Sequence, residues 1–267
     1  MHMALRGIDV STNNGIIDWR KAAKVVDFAI IKATQGRGAG PSTALLKRFT
    51  DSKFTYNINN AAVNGLSIGA YHFLNCSTVK EAEAEADYFI KAISPYRGYI
   101  DLFAAVDVED PKEMYAHLPK DKPTLTAMVN AFTERVRQAG FKPAIYTNRT
   151  FLAGRLDYNN LKCKTIWRAH WYTQYVTGFD EWRPTDAPTD YADDMPVWQF
   201  GKGAQNSVDG VKTEIDLNYG YFENHAKSPD YAAMVCEKCG LEQQTRDYID
   251  RYTYAEDLWR KLWNAME

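Results

Sequence analysis

Short apolar runs recur along the chain, separated by stretches in which apolar residues return every three to four positions. The runs are Gly7-Ile8-Asp9-Val10, Phe28-Ala29-Ile30-Ile31, Ile68-Gly69-Ala70-Tyr71-His72-Phe73, Leu102 to Val108, Pro143-Ala144-Ile145-Tyr146-Thr147, Thr165-Ile166-Trp167-Arg168-Ala169, Pro196-Val197-Trp198-Gln199-Phe200 and Glu214-Ile215-Asp216-Leu217. Each is too short for a buried helix and rich in β-branched or aromatic residues, so eight strands are expected. Helical patterns fill the gaps in the first two thirds of the chain. Thr78 and Glu81 have capping-box spacing ahead of Ala82, Ala86, Phe89, Ile90 and Ile93, which share one helical face. Leu125, Met128, Val129, Phe132 and Val136 repeat the pattern, and Gly140 ends it. Beyond about residue 150 the gaps are rich in Asp, Pro, Thr and Gly and read as loops. Strand and helix in alternation, then strands alone, describe a (β/α) barrel with a β-rich closure.

A boundary is expected at Asn224 to Pro229. Past it, Tyr231 to Lys238, Glu242 to Tyr252 and Tyr254 to Met266 read as three short helices, the last with an apolar stripe of Leu258, Trp259, Leu262 and Trp263. The expected division is a barrel over 1–224 and a small C-terminal helical module over 225–267. That module can bind elsewhere, self-associate into a homodimer or pack on the barrel.

One run ends unexpectedly. Ala104-Ala105-Val106-Asp107-Val108-Glu109-Asp110 carries three carboxylates straight after small apolar residues. Strand residues two apart share a face, so Asp107 and Glu109 point one way while Val106 and Val108 face the helical layer. In a barrel the acids then point inward at the C-terminal mouth, where such folds place their chemistry. Two like charges held together leave one carboxyl protonated near neutral pH beside an ionised partner, the pairing that glycosidic cleavage requires. Asp9 and Asp216 lie in the first and last strands, which are neighbours in a closed barrel, so they should join the same rim. Tyr71, His72, Tyr146, Trp167 and Trp198 come from other strands. Rings stack on pyranose faces while carboxylates take hydroxyl and amide protons, so acids with aromatics describe a sugar subsite. A hydrogen-bonded core role for His72, and barrel filling by Trp167 and Trp198, stand beside that reading.

Composition narrows the partners. The 267 residues are 45% hydrophobic, and 32 basic against 34 acidic residues give a net charge of -2, so no polyanion is expected as a partner and nucleic acid is not. No stretch reaches the roughly 18 apolar residues of a membrane span, and the start MHMALRGIDV lacks the apolar region and cleavage site of a signal peptide. Synthesis in the cytoplasm without a leader is the expectation. Cys76 and Cys163 stand alone, and Cys236 and Cys239 form a C-x-x-C without the second pair a zinc ribbon needs. Reduced thiols, no metal and no cofactor are expected.

Nine short motifs, in order, resemble the family 25 glycoside hydrolases, lysozymes of the N-acetylmuramidase type: Gly7-Ile8-Asp9-Val10-Ser11, Asp18-Trp19, Phe28 to Thr34, Gly69 to Phe73, Asp107-Val108-Glu109, Tyr146-Thr147-Asn148, Trp167 to Trp171, Val197 to Phe200 and Ile215 to Asn218. The likeness covers about residues 5–222. It implies a TIM-like (β/α)5β3 barrel and cleavage, with net retention, of the β-1,4 bond between N-acetylmuramic acid and N-acetylglucosamine in bacterial peptidoglycan. It maps the acid/base onto Glu109 and auxiliary carboxylates onto Asp107, Asp9 and Asp216. The nucleophile it leaves between the substrate's acetamido oxygen, oriented by Asp107, and an enzyme Asp. One departure is visible: Lys32-Ala33-Thr34-Gln35-Gly36 has Gln where the family usually has Glu. A phage-type endolysin that lyses the cell wall is the leading expectation; a non-catalytic wall-binding protein and a chitin-type hydrolase are the alternatives.

Overall fold

The computed structural model describes residues 4–36, 48–109, 118–182, 184–187, 196–223 and 229–266. Its strands are β1 (Leu5–Val10), β2 (Phe28–Gln35), β3 (Phe49–Thr50), β4 (Ser67–Phe73), β5 (Ile100–Asp107), β6 (Pro143–Asn148), β7 (Ile166–Ala169), β8 (Tyr175–Val176), β9 (Val197–Gly203) and β10 (Ile215–Gly220). The eight expected runs are the eight that close into a ring, because β1 pairs with β2 on one side and β10 on the other. The two-residue β3 and β8 pair with β2 and β9 outside that circuit.

Seven ring strands run parallel, and β10 is antiparallel to both of its neighbours. This reversal decides where Asp216 goes. It sits at the start of β10, not at a strand end, and because β10 runs backwards that start lies at the mouth, in register with Asp9.

The helices between strands are α1 (Trp19–Ala22), α2 (Phe54–Val63), α3 (Val79–Ile93), α4 (Lys122–Gln138) and α5 (Arg149–Arg155). At the start of α3 the Thr78 hydroxyl accepts from the Glu81 amide, while the Glu81 carboxylate accepts from the Ser77 amide, so the capping interaction closes one residue further out than the sequence pattern implied. α4 starts on the Asp121 side chain and stops where Gly140 takes φ +82, a left-handed conformation that costs glycine nothing. α5 interrupts a region expected to be loop. Asn148 caps it by accepting from the Phe151 amide at 2.8 Å, and seven residues are too few to display a period.

Strand alternation splits the core in two. Ile8, Val10, Ala29, Ile31, Ile68, Val106, Ile145 and Leu217 face outward onto Phe54, Ile58, Phe89, Phe132 and Val136 of the helices. Phe28, Ile30, Phe103, Ala105, Ala144, Tyr146 and Trp167 fill the inside of the ring. Phe222 packs edge-on against Phe28, with ring centroids 5.2 Å apart, at the end away from the acids.

Three further helices follow, α6 (Tyr231–Cys239), α7 (Gln243–Ile249) and α8 (Ala255–Ala265). Ala232, Val235 and Trp259 form a separate small core, and Trp259 is also fixed by its indole N–H, which donates to Asp250 at 2.7 Å. Trp263 packs beside this core, and Leu262 remains exposed. The Asp230 amide donates to the Val63 carbonyl at 2.8 Å, tying the start of α6 to the end of α2. The expected boundary at Asn224 to Pro229 falls largely on 224–228, outside the described residues. Among the described residues no helix is long and apolar enough to cross a membrane. All four cysteines are unbridged, Cys76 and Cys163 buried and Cys239 exposed.

Candidate active site

Asp9, Asp107 and Asp216 reach one mouth of the ring from β1, β5 and β10, and Glu109 follows two residues beyond Asp107. Asp110 lies outside the described residues. Burial raises the proton affinity of all three aspartates. Asp9 is pushed up to about 6, held back from a larger shift by hydrogen bonds from Asn218 and Gln199. Asp107 is raised well above the usual carboxylate range by burial first and the nearby Glu109 second, while Lys32 opposes the shift. Asp216 is likewise raised, by burial and then by Asp9, with Lys202 opposing. Oδ1 of Asp107 and Oδ1 of Asp216 are buried without a hydrogen-bond partner among the described residues. Buried oxygens in that state are costly, and a bound substrate that donates N–H or O–H groups would satisfy them.

An amide network holds Asp9. Its Oδ2 accepts from Gln199 Nε2 at 2.9 Å and from Asn218 Nδ2 at 2.8 Å. Gln199 in turn accepts from the Tyr146 hydroxyl at 2.9 Å and the Trp171 indole at 3.0 Å, while Asn218 accepts from the Trp167 indole at 2.8 Å. Four neighbouring elements are thereby linked around one carboxylate. Tyr71 and Tyr146 are buried among acids, which keeps both phenols neutral and able to donate. Trp167 lies beneath them, 4.4 Å from the Tyr146 ring and 5.7 Å from that of Tyr71, so it forms the floor of the mouth.

Two of the sequence-derived residues are not at the mouth. His72 faces the helices, its Nδ1 2.7 Å from Thr34 Oγ1 and its Nε2 2.9 Å from Glu85 Oε2, packed against both the Phe89 and Phe132 rings. Trp198 also faces outward, against Phe200 and Tyr219, and donates to the His170 carbonyl at 2.8 Å. The reason is the two-residue period: Tyr71 and Gln199 take the inward positions, so their neighbours cannot. Lys32, Gln199 and Asn218 are at the mouth but were not singled out. Each carried a signal, a polar side chain inside an apolar run and in step with the inward positions.

A ring of seven parallel strands closed by one antiparallel strand, with Asp9, Asp107 and Asp216 at one mouth above a floor of aromatic rings, defines a barrel of the class that gathers its functional side chains at the strand ends. The chain belongs to the glycosyl hydrolases family 25, whose model matches residues 8–210. It is 29% identical over 224 residues to the uncharacterized protein YegX of Escherichia coli, covering 80% of this chain and 68% of that protein. Lysozyme M1 of Streptomyces globisporus is 27% identical over 224 residues, 80% of this chain and 67% of that one. Among solved structures, the modular autolysin LytC of Streptococcus pneumoniae in complex with a synthetic peptidoglycan ligand superposes with a TM-score of 0.64 at 23% identity, over 82% of this chain. The chain spans 47% of that autolysin, so the likeness concerns the barrel fold.

Proposed function

We propose that this chain hydrolyses bacterial peptidoglycan as an N-acetylmuramidase, cutting the β-1,4 bond between N-acetylmuramic acid and N-acetylglucosamine. The observation that carries the reading is the cluster of raised, partly unpartnered carboxyls at one mouth, in a chain of this family that is similar to a lysozyme. Glu109 gives its proton to the departing sugar oxygen. Asp107 accepts from the substrate's 2-acetamido N–H and orients its carbonyl oxygen toward the anomeric carbon, so that the first displacement is internal and the configuration is retained overall. Asp9 and Asp216 hold sugar hydroxyls across the mouth, and Tyr71, Tyr146 and Trp167 support the sugar rings. Neither a metal nor a cofactor takes part.

Glu109→Gln removes the proton while keeping the shape. Turnover on purified peptidoglycan should fall by at least about 100-fold, read as new reducing ends. A near wild-type rate would end the assignment. Chitin oligomers in the same assay separate the muramidase from a chitin-type hydrolase. Asp107→Asn should cripple cleavage, and an activated slow substrate should leave no sugar on the wild-type protein; a stable adduct on Asp107 in intact-protein mass spectrometry would make that residue the nucleophile instead. The setting that best fits is lysis of a bacterial wall by an endolysin-like enzyme made in the cytoplasm, with residues 225–267 serving wall attachment.

A further inference from the structure

The C-terminal helices meet the barrel where the Asp230 amide reaches the Val63 carbonyl, and a cleft of about 860 Å³ lies between α6 and the barrel flank. One wall is α2, which presents Tyr56, Asn60 and Asn64 at helical spacing; the other is α6, with Met234, Glu237 and Lys238. The volume is that of a ligand site, roughly 300–1,000 Å³. Part of the rim is the segment between β9 and β10, held against the start of α1. There the Asp18 amide donates to the Gly210 carbonyl at 3.0 Å, and Gly210 takes φ +84 at a point where a Cβ would lie 2.3 Å from the Asp18 carbonyl oxygen. This rim is built in advance of any ligand, which lowers the cost of binding. None of the carboxylates or rings of the mouth lines the cleft, so the two can be filled together.

The chemistry of the cleft suits a peptide better than a sugar. Its rings are already engaged: the Tyr56 hydroxyl donates to the Ile17 carbonyl at 2.8 Å, and Trp263 packs on the small helical core under the Lys238 ammonium, 5.1 Å from the ring centre. They offer little face to a pyranose. What the cleft does offer is charge of both signs and amide carbonyls. Lys212, Asp209 and Glu237 are exposed and form no ion pair among the described residues. Asn60 and Asn64 donate their Nδ2 groups to the Tyr56 and Asn60 backbone carbonyls, at 2.8 Å each, which leaves both Oδ1 atoms as acceptors. A short peptide with free carboxylates, an ammonium and backbone N–H groups complements all of these. The peptide stems of peptidoglycan are such molecules.

We propose that this cleft is a second binding site, for a peptide stem carried on a part of the wall other than the sugar being cut. The proposal rests on the peptidoglycan reading above and gives the attachment assigned to residues 225–267 a place and a ligand. Barrel and C-terminal helices each supply one wall, so neither holds the stem alone.

The test titrates a synthetic stem tetrapeptide, L-alanyl-γ-D-glutamyl-L-lysyl-D-alanine, into the nitrogen-15-labelled full chain. The indole N–H signal of Trp263, identified by its loss in Trp263→Phe, should shift saturably while those of Trp167 and Trp171 at the mouth stay still. Lys212→Glu and Glu237→Lys, both at exposed positions, should each weaken binding by about five-fold or more with signal dispersion preserved. A still Trp263, a response at Trp171 in its place, or affinity unchanged in both reversals overturns the proposal. Chitin tetraose should leave Trp263 still; a saturable shift with it would make the cleft a glycan site and overturn the peptide assignment. Release of reducing ends from peptidoglycan is measured separately. If it fails while Trp263 responds, the hydrolase reading falls and the cleft stands; if it succeeds while Trp263 stays still, the cleft alone falls.

Discussion

Asp9 accepts two side-chain amides at under 3 Å and is nevertheless pushed up to about 6, so burial outweighs both hydrogen bonds. The consequence for stability has a definite sign. An acid whose folded pKa exceeds its unfolded value near 3.8 binds more protons when folded, so stability is highest below that value and declines as pH rises through about 6. A gap of about two units amounts to roughly 3 kcal/mol at neutral pH, an upper figure because the neighbouring acids share the proton. Asp9→Asn keeps the size and removes the ionisation. Its unfolding midpoint at pH 7.5 should exceed the wild type's by several degrees, at about 2–4 °C per kcal/mol, and the difference should vanish near pH 4. Equal midpoints at both pH values would mean that Asp9 carries no such strain. If Asp9 holds a substrate hydroxyl as proposed, activity should fall in the same variant.

Between adjacent positions of one strand, the ring makes opposite assignments. Trp198 and Gln199 show it: the large apolar ring goes outward against Phe200 and Tyr219 and the amide goes to Asp9. Trp198→Phe should therefore lower the unfolding midpoint, through the lost bond to the His170 carbonyl, while leaving KM on soluble muropeptides within about two-fold. A raised KM with an unchanged midpoint would put the ring in the substrate groove after all. The same pair shows what a sequence can tell. Short apolar runs make every strand of the ring legible, and the two-residue period separates Asp107 from Val106 and Val108, which lie in the outer core. It does not say which of two chemically ambiguous neighbours faces inward. His72 deceived because the outer layer contains its own polar pair, Glu85 with the imidazole, fully enclosed by Phe89 and Phe132. Gln199 and Asn218 were hidden for a related reason: their importance lies in a carboxylate about two hundred positions away, which no local pattern displays.

Among the described residues none after Phe222 belongs to either barrel core, and the C-terminal helices bury Trp259 among themselves. Ending the chain after Phe222 should then leave a folded barrel with unchanged turnover of short soluble muropeptides. If residues 225–267 attach the enzyme to its substrate, the shortened form should sediment less with intact walls. Equal sedimentation removes that role, and a halved mass in light scattering assigns the helices to pairing of two chains.

The antiparallel β10 has a further consequence, in time rather than space. Asn218, which holds Asp9, follows it by 209 positions, and at roughly 5–20 residues per second a ribosome needs about 10–40 s to cover that distance. Throughout that interval the nascent chain carries Asp9, and later Asp107 and Glu109, on a ring that is open between β1 and β9. The last barrel strand to be synthesised both closes the circle and delivers Asp216, so a prematurely released polypeptide has most of the acids and none of the finished mouth. A chain ended before β10 should therefore show no turnover on soluble muropeptides even though Asp9, Asp107 and Glu109 are all present.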